Sequence, residues 1–578
     1  MKNIADETGW FTLRLATETD REEIYRLRHE VYARELGQHQ VQPGGVLRDS
    51  LDEFNIYLVA EKRGEILGFI SITPPGHGHY SLDKYVSRSD FAALFQERPF
   101  ELRLLTVRKP QRGRALASLL SYAAFRWVEQ HGGTRIIGMG RREIFDYYRR
   151  LGMEGLDRQI RSGAASFELM TGEIERLRGV AADHAEVLNR FERAIDWRLD
   201  FPFQEPAKCF HGGASFEAIG DEFDHLERRQ EVISADVLDA WFPPSPKVIE
   251  SLQDNLEWLV QSSPPADCAG MARAIARARG VAADNILPAG GSSDLIFLAM
   301  RDWLTSDSRV LLLDPTYGEY PHVLEQIVRC RLDRFALARE DGYQVNLNRL
   351  QKRLVERNFD LVILVNPNSP TGQLVPRAEL ERVLERAPAR TRIWVDETYI
   401  DYAGPGESLE RFAAGSDNVV VCKSMSKVYA LSGARAAYLC AHAGIIEQLR
   451  AVTPPWAVSL PAQVAAVKAL EDTAYYSQCW TQTRDLREAL GRELAKFRGW
   501  EIIPGRANFL LCHLPVDGPD AEEVIRRCKL QGLYLRDAGA MGTAVGQHAL
   551  RIAVKDEKTN HRLIEILRSV LAGNRKTN

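Results

Sequence analysis

The chain lacks CxxC pairs, a charge excess of either sign and any long apolar run, and each absence excludes a class of function. Its eight cysteines stand at 209, 268, 330, 422, 440, 479, 512 and 528. None shows metal-ligand spacing, so no metal site is expected, and the scatter fits a reducing compartment better than a secreted disulfide scaffold. Lys and Arg number 75 against 79 Asp and Glu, a formal net charge of -4. That balance favours neither nucleic acid nor an acidic solvating tail. The opening MKNIADETGW carries no apolar signal core, and no stretch reaches the ~18 apolar residues that a membrane helix needs. A cytoplasmic protein acting on small molecules is expected, with no nucleic-acid or membrane partner.

What is present is apolar residue in quantity, 45% of 578 positions, enough for more than one core. In the first part the pattern predicts strands at 56–60, 66–72, 102–107 and 135–139. Between the last two lies Arg108-Lys-Pro-Gln-Arg-Gly-Arg114, then a helix that places Leu116, Leu119, Leu120, Ala123 and Trp127 on one face. A short helix carrying Tyr147-Tyr148-Arg-Arg-Leu-Gly152 follows. Residues 173–230 read as a junction and arm, in which Trp197, Phe201, Phe203 and Phe210 have the character of packing residues. From 231 onward, short β-branched runs at 310–313, 361–365, 393–395 and 419–421 alternate with longer amphipathic segments, as buried parallel strands of an α/β sheet do.

Two of those strands end in chemistry. Arg392-Ile-Trp-Val-Asp396-Glu-Thr-Tyr399 places an acid at a strand end, where open α/β sheets collect functional groups. Val419-Val-Val-Cys-Lys-Ser424-Met-Ser-Lys427 brings a lysine to the end of another. A lysine can form a Schiff base with an aldehyde cofactor, and an acid can keep a pyridine nitrogen protonated so that the ring accepts electrons. Gly290-Gly291-Ser292-Ser293, leading into a helical run, offers hydroxyls and free N–H groups to a phosphate, and Arg435 offers a guanidinium. Singly, each feature is an ordinary structural acid, a solvated lysine or a common turn. Their conjunction points to a cofactor site.

Residues 231–578 resemble the fold-type I aminotransferases of class I and II, and within them the histidinol-phosphate aminotransferase and threonine-phosphate decarboxylase branch. The matching words are Asp314-Pro-Thr-Tyr317-Gly-Glu-Tyr320, Asn366-Pro-Asn-Ser-Pro-Thr-Gly372, Asp396-Glu-Thr-Tyr399, Ser424-Met-Ser-Lys427 with Arg435 beyond it, and Leu550-Arg551-Ile-Ala-Val554. The resemblance implies pyridoxal 5'-phosphate (PLP) on Lys427, Asp396 on the pyridine nitrogen, Tyr399 on the phenolic oxygen and Tyr317 stacked on the ring. It further implies a phosphate cup of Ser292, Ser293, Ser424 and Arg435, a carboxylate clamp at Arg551 for an α-amino acid substrate, and a homodimer. Two departures stand out. Ser369 occupies the place of an asparagine that faces the cofactor, and Ser262-Ser263-Pro264-Pro265 lies where a partner-reaching tyrosine is usual. They leave decarboxylation, or elimination and replacement with S-adenosylmethionine, as alternatives to transamination. A non-catalytic PLP-fold regulator or scaffold is a further alternative, although no basic recognition helix is evident.

In the amino-terminal part, Gln111, Arg112, Gly113, Arg114 and Ala115 read either as a pyrophosphate-binding turn or as a basic turn capping a helix. Residues 1–172 resemble the GCN5-related N-acetyltransferases, which implies a mixed sheet, acyl-coenzyme A at that turn and Tyr148 as a proton donor. Arg26-Leu-Arg28-His-Glu30-Val-Tyr32-Ala-Arg34, with Glu101-Leu-Arg103, is also similar to the acyl-homoserine-lactone synthases, whose arginine and acidic positions line a pocket for an acyl carrier and S-adenosylmethionine. The expected architecture is therefore α/β throughout: an acyltransferase-like mixed-sheet domain, then a fold-type I transferase domain with large and small subdomains.

Overall fold

A computed structural model describes residues 11–112, 115–192, 195–204, 211–220 and 222–572. The chain divides into two compact units, Met1–Pro206 and Ala207–Asn578.

The first unit is built on eight strands: β1 (Phe11–Leu15), β2 (Ile56–Lys62), β3 (Glu65–Thr73), β4 (Phe100–Val107), β5 (Arg135–Arg141), β6 (Glu154–Ser162), β7 (Ala165–Glu173) and β8 (Ile195–Arg198). Their order is β6-β7-β5-β4-β3-β2-β1-β8, mixed because β1/β8 and β4/β5 run parallel. Arg63 and Gly64, both at positive φ, close the β2–β3 hairpin in the sense that matches strand twist. Side chains alternate across the sheet. Leu58, Ile70 and Ile72 meet the predicted helix face of Leu116, Leu119, Leu120, Ala123 and Trp127, while Tyr57, Val59 and Phe69 meet the helix Arg21–Arg28 on the other side. β4 and β5 pair only from Phe100 to Leu102, although both run on beyond it, and Leu104 takes a φ of 57°. The two strands therefore part toward their C-terminal ends, next to residues 108–112. Trp197, Phe201 and Phe203 pack into this unit's core, and β8 is one of its sheet strands, so that part of the expected junction is integral to it. Phe210 lies outside the described residues.

The second unit adds a short strand β9 (Ile233–Ser234) and a seven-stranded sheet of β10 (Ile286–Ala289), β11 (Arg309–Asp314), β12 (Arg331–Ala336), β13 (Leu361–Val365), β14 (Arg392–Asp396), β15 (Val419–Ser424) and β16 (Ala437–Cys440). The order is β10-β16-β15-β14-β13-β11-β12, with β16 antiparallel to both its neighbours. Strands β11, β13, β14 and β15 are apolar at most positions because both faces are covered. Leu311, Val362, Ile393 and Val421 enter one core, and Leu312, Ile363, Trp394 and Val420 the other. A smaller sheet of β17 (Glu501–Ile503), β18 (Phe509–His513), β20 (Arg536–Asp537) and β21 (Ala549–Ala553) forms the second subdomain, while β19 (Leu533–Tyr534) pairs with β9. Among the described residues no helix is long and apolar enough to cross a membrane.

Candidate active site

The parallel strands of the seven-stranded sheet deliver their C-terminal ends to one place, where ligand sites of such sheets form. Asp396 closes β14 and Ser424 closes β15, and Lys427 follows in the short helix Met425–Val428, which starts when the Ser424 hydroxyl accepts from Ser426 N at 3.3 Å. Strand β21 of the smaller sheet brings Arg551.

Asp396 is buried, and its carboxylate accepts from Tyr320 Oη at 2.8 Å, Thr398 N at 2.9 Å and Thr398 Oγ1 at 2.7 Å. Burial pushes its pKa up despite those donors. Trp394 Nε1 donates to Tyr320 Oη at 2.8 Å, so the acid's main partner is itself held in place. Lys427 Nζ donates to Asp239 Oδ1 at 2.7 Å and to Ser432 Oγ at 3.4 Å. Burial would raise the Asp239 pKa, but Lys427 pulls it below the ordinary carboxylate value.

Tyr317 Oη and Ser293 Oγ both donate to Glu319 Oε2, at 2.7 and 2.9 Å, tying the expected ring platform to the expected phosphate cup. His211 leans over this pair, its ring 5.9 Å from that of Tyr317 and its Nε2 3.6 Å from Glu319 Oε2. Tyr399 is buried, edge-on to Phe509 at 5.2 Å. Gly291, at a φ of 120°, precedes the helix Ser292–Trp303, and the Arg435 guanidinium occupies the space a Cβ there would fill. Such a cradle, with the hydroxyls of Ser292 and Ser293 at a helix N-terminus, has the chemistry of a phosphate site.

Arg551 is buried and donates from Nη1 to Ser369 Oγ at 3.1 Å and from Nη2 to the Asp236 carbonyl at 3.0 Å, while its Nε has no partner. Burial pushes its pKa below the ordinary arginine value. Ser369 thus sits with Arg551, the expected carboxylate clamp. The donor set fits PLP: an amine, a buried acid, an aromatic platform and a phosphate cradle meet at one sheet edge.

The profile of the aminotransferase class I and II family matches residues 238–567, and that of the acetyltransferase (GNAT) family matches residues 21–153. The chain belongs to the class I and II aminotransferases. Histidinol-phosphate aminotransferase of Rhodopseudomonas palustris strain BisB5 is 29% identical over 57% of this chain and 89% of its own length. The enzyme of that name from Moorella thermoacetica is 28% identical over 57% and 83%. The solved histidinol-phosphate aminotransferase of Sinorhizobium meliloti, in complex with PLP, superposes with a TM-score of 0.54 at 21% identity, covering 62% of this chain and 97% of that one. Threonine-phosphate decarboxylase of Porphyromonas gingivalis shares the fold with a TM-score of 0.50 at 22% identity, over 57% and 97%. This aminotransferase therefore carries a GNAT-like domain at its amino-terminal side.

Asp239 and His211 went unnoticed in the sequence, and Glu319 and Tyr320 were read there only as part of a matching word, without a role. Glu319 and Tyr320 belong to the word Asp314-Pro-Thr-Tyr-Gly-Glu-Tyr and could have been found there; Asp239 lies 188 positions from its lysine with no local signal. In the first unit, Tyr148 packs edge-on to Tyr147 at 5.3 Å, and burial raises its pKa. Arg112 is engaged with Glu35 Oε2 at 2.6 Å and with the Val107 carbonyl at 2.9 Å, while Ala115 precedes the helix Leu116–Gln130. Gly113 and Arg114 lie outside the described residues.

Proposed function

We propose that the chain transaminates an α-amino acid with PLP held by Lys427, acting as a homodimer, and that its GNAT-like domain modifies an amine of the same pathway. The observation carrying this reading is that buried Asp396 and Lys427 follow the C-terminal ends of the neighbouring strands β14 and β15, while buried Arg551, from the smaller sheet, and Asp396 both lie within electrostatic reach of Tyr399. When bound, PLP supplies an aldehyde for amine exchange and a ring that accepts electrons. Ser292, Ser293, Ser424 and Arg435 would hold its phosphate, Tyr317 would floor its ring and Tyr399 would face its phenolic oxygen. Asp396, fixed by Tyr320 and Thr398, would hold a proton at the ring nitrogen. Lys427 Nζ would carry protons to and from the substrate Cα, and Arg551 would orient the substrate through its carboxylate, with Ser369 setting the guanidinium's tilt.

The test is to incubate the full chain with PLP, a panel of L-amino acids and 2-oxoglutarate, and to follow keto-acid formation by mass spectrometry, with Lys427→Ala as control. Keto acid that depends on Lys427 supports transamination; loss of CO2 without keto acid overturns it in favour of decarboxylation. That second reading draws on one contact. Ser369, which departs from the family's asparagine, accepts from Arg551 Nη1 at 3.1 Å, so the departure sits beside the arginine that would orient the substrate carboxylate, the group decarboxylation removes. Release of methylthioadenosine from S-adenosylmethionine would instead indicate elimination or replacement.

For the first unit, the parting of β4 from β5 beside Gln111 and Arg112 supports acyl-coenzyme A as donor, with an acyl carrier and S-adenosylmethionine as the other pair. The exposed Leu256, Trp258, Val260 and Trp456 support self-association of the second unit, checked by light scattering in the presence of PLP. The free state of all seven described cysteines accords with a cytoplasmic setting.

A further inference from the structure

Two hydroxyls expected to serve the cofactor are already committed in the free protein. Ser293 Oγ and Tyr317 Oη donate to the same atom, Glu319 Oε2, at 2.9 and 2.7 Å. Glu319 exposes 1% of its surface, and its other oxygen, Oε1, is buried without a partner. A hydroxyl has one proton to give. While Ser293 gives it to Glu319, it has none for a phosphate dianion, which only accepts.

An arriving phosphate can resolve this conflict in two ways. In the first, Ser293 turns to the phosphate and leaves an ionised, buried Glu319 with Tyr317 as its one hydroxyl donor and a second anion beside it. Little around Glu319 supports that charge. Among the described residues its one ion-pair neighbour is His211, whose Nε2 lies 3.6 Å from Oε2. Burial outweighs the pull of Glu319 on that ring and, with Arg536, His322 and Lys427 nearby, holds the His211 pKa below the ordinary histidine value. On β14 and β15 the groups within electrostatic reach are Asp396, with its partner Tyr320, and the Cys422 thiol. Burial raises the pKa of both Asp396 and Cys422, and the charge of Glu319 adds to the rise.

In the second way, Glu319 takes one proton from solvent and donates it to Ser293 Oγ, and the Ser293 hydroxyl turns its own proton to the phosphate. No bare carboxylate is then left beside the phosphate, and Tyr317 keeps its bond to the same carboxyl group. The half-exposed His211 offers the proton a way in. We infer, on the reading of Ser292, Ser293, Ser424 and Arg435 as the phosphate cup, that Glu319 is a positioning residue for the phosphate, acting through Ser293 as a neutral acid, so that the site takes up one proton as the phosphate enters.

Calorimetric titration of the full chain with pyridoxine 5'-phosphate, which has the ring and phosphate of the cofactor but no aldehyde, tests this when repeated in buffers of different ionisation enthalpy. At about pH 7.5 the parent should take up about 0.5 to 1 proton more than Glu319→Gln, a comparison that cancels any proton gained at the ring nitrogen beside Asp396. The new amide can donate to Ser293 as the neutral acid does, so at about pH 8 the variant should bind about three- to tenfold more tightly than the parent. A merely structural glutamate would give weaker binding. His211→Gln should keep the uptake. If Glu319→Gln fails to fold, sulfate decides: it has no ring and does not titrate near neutrality, so its binding to the parent should by itself take up about 0.5 to 1 proton. Equal uptake in parent and Glu319→Gln, weaker binding by that variant at about pH 8, loss of the uptake in His211→Gln, or sulfate that binds without uptake or not at all overturns the inference and leaves the cup in place. Failure of pyridoxine 5'-phosphate to bind overturns the cup itself, and the inference with it.

Discussion

Arg551→Met separates a residue kept for binding from one kept for folding. In the free protein the guanidinium is buried and its two hydrogen bonds, to Ser369 Oγ at 3.1 Å and the Asp236 carbonyl at 3.0 Å, go to neutral acceptors. Because the donor is charged, those bonds contribute about 1.5–3 kcal/mol each. Against them stands the desolvation of a charge that forms no ion pair among the described residues, which costs several kcal/mol. Methionine has similar length and no charge, so the net change in stability should be within about 1 kcal/mol, of either sign. Binding should behave differently. Losing a buried charge-assisted contact to the substrate carboxylate costs about 2–5 kcal/mol, which raises KM for the amino donor by about 30-fold to about 4,000-fold. The assay pairs steady-state KM with urea unfolding, and adds a primary amine that lacks a carboxylate, for which variant and parent should be alike. A KM within about threefold of the parent, together with a stability loss above about 3 kcal/mol, would mean that Arg551 is a structural residue and the clamp is elsewhere.

Lys427→Ala should lower turnover by more than about 10^4-fold, since the covalent anchor and the proton carrier are lost together, and gel filtration should strip its PLP. Gly291→Ala places a Cβ against the Arg435 guanidinium at a φ of 120°, a strain of about 1–3 kcal/mol, so PLP affinity measured by fluorescence titration should fall about five- to 150-fold. Burial of His513 in the smaller sheet, with Arg339 nearby, pushes its pKa down to about 4 from an ordinary 6.5. The unfolded chain therefore binds that proton first: His513's contribution is fully present above about pH 6.5 and is lost as pH falls toward 4, by up to about 3 kcal/mol. Urea unfolding at pH 7 and pH 4.5 should show a smaller drop for His513→Gln than for the parent.

Strand positions, and the places of Asp396 and Lys427 at strand ends, were legible in the sequence because they depend on local pattern. β13 spans Leu361–Val365 as read, and β14 and β15 contain the predicted runs, since a strand covered on both faces must be apolar at every position. Asp396 and Lys427 were visible because each ends or follows such a run, where the backbone leaves the sheet and side chains face solvent or ligand. The helix stripe from Leu116 to Trp127 was visible for the same kind of reason, as a 3.6-residue period has one buried solution. What tertiary structure alone decided were pairings between distant residues. Asp239 meets Lys427 across 188 positions, Arg551 meets Ser369 across 182, and β8 joins β1 in parallel to make residues 195–198 sheet rather than linker. Arg103 was seen in the sequence as one of several charged positions, yet its partner Asp49, 54 positions away, emerged only in the fold, as did the bond from Ser293 to Glu319. Local periodicity records whether a residue is buried; which polar group it meets there is set by strand register and chain crossing, and these are written in no short stretch of sequence.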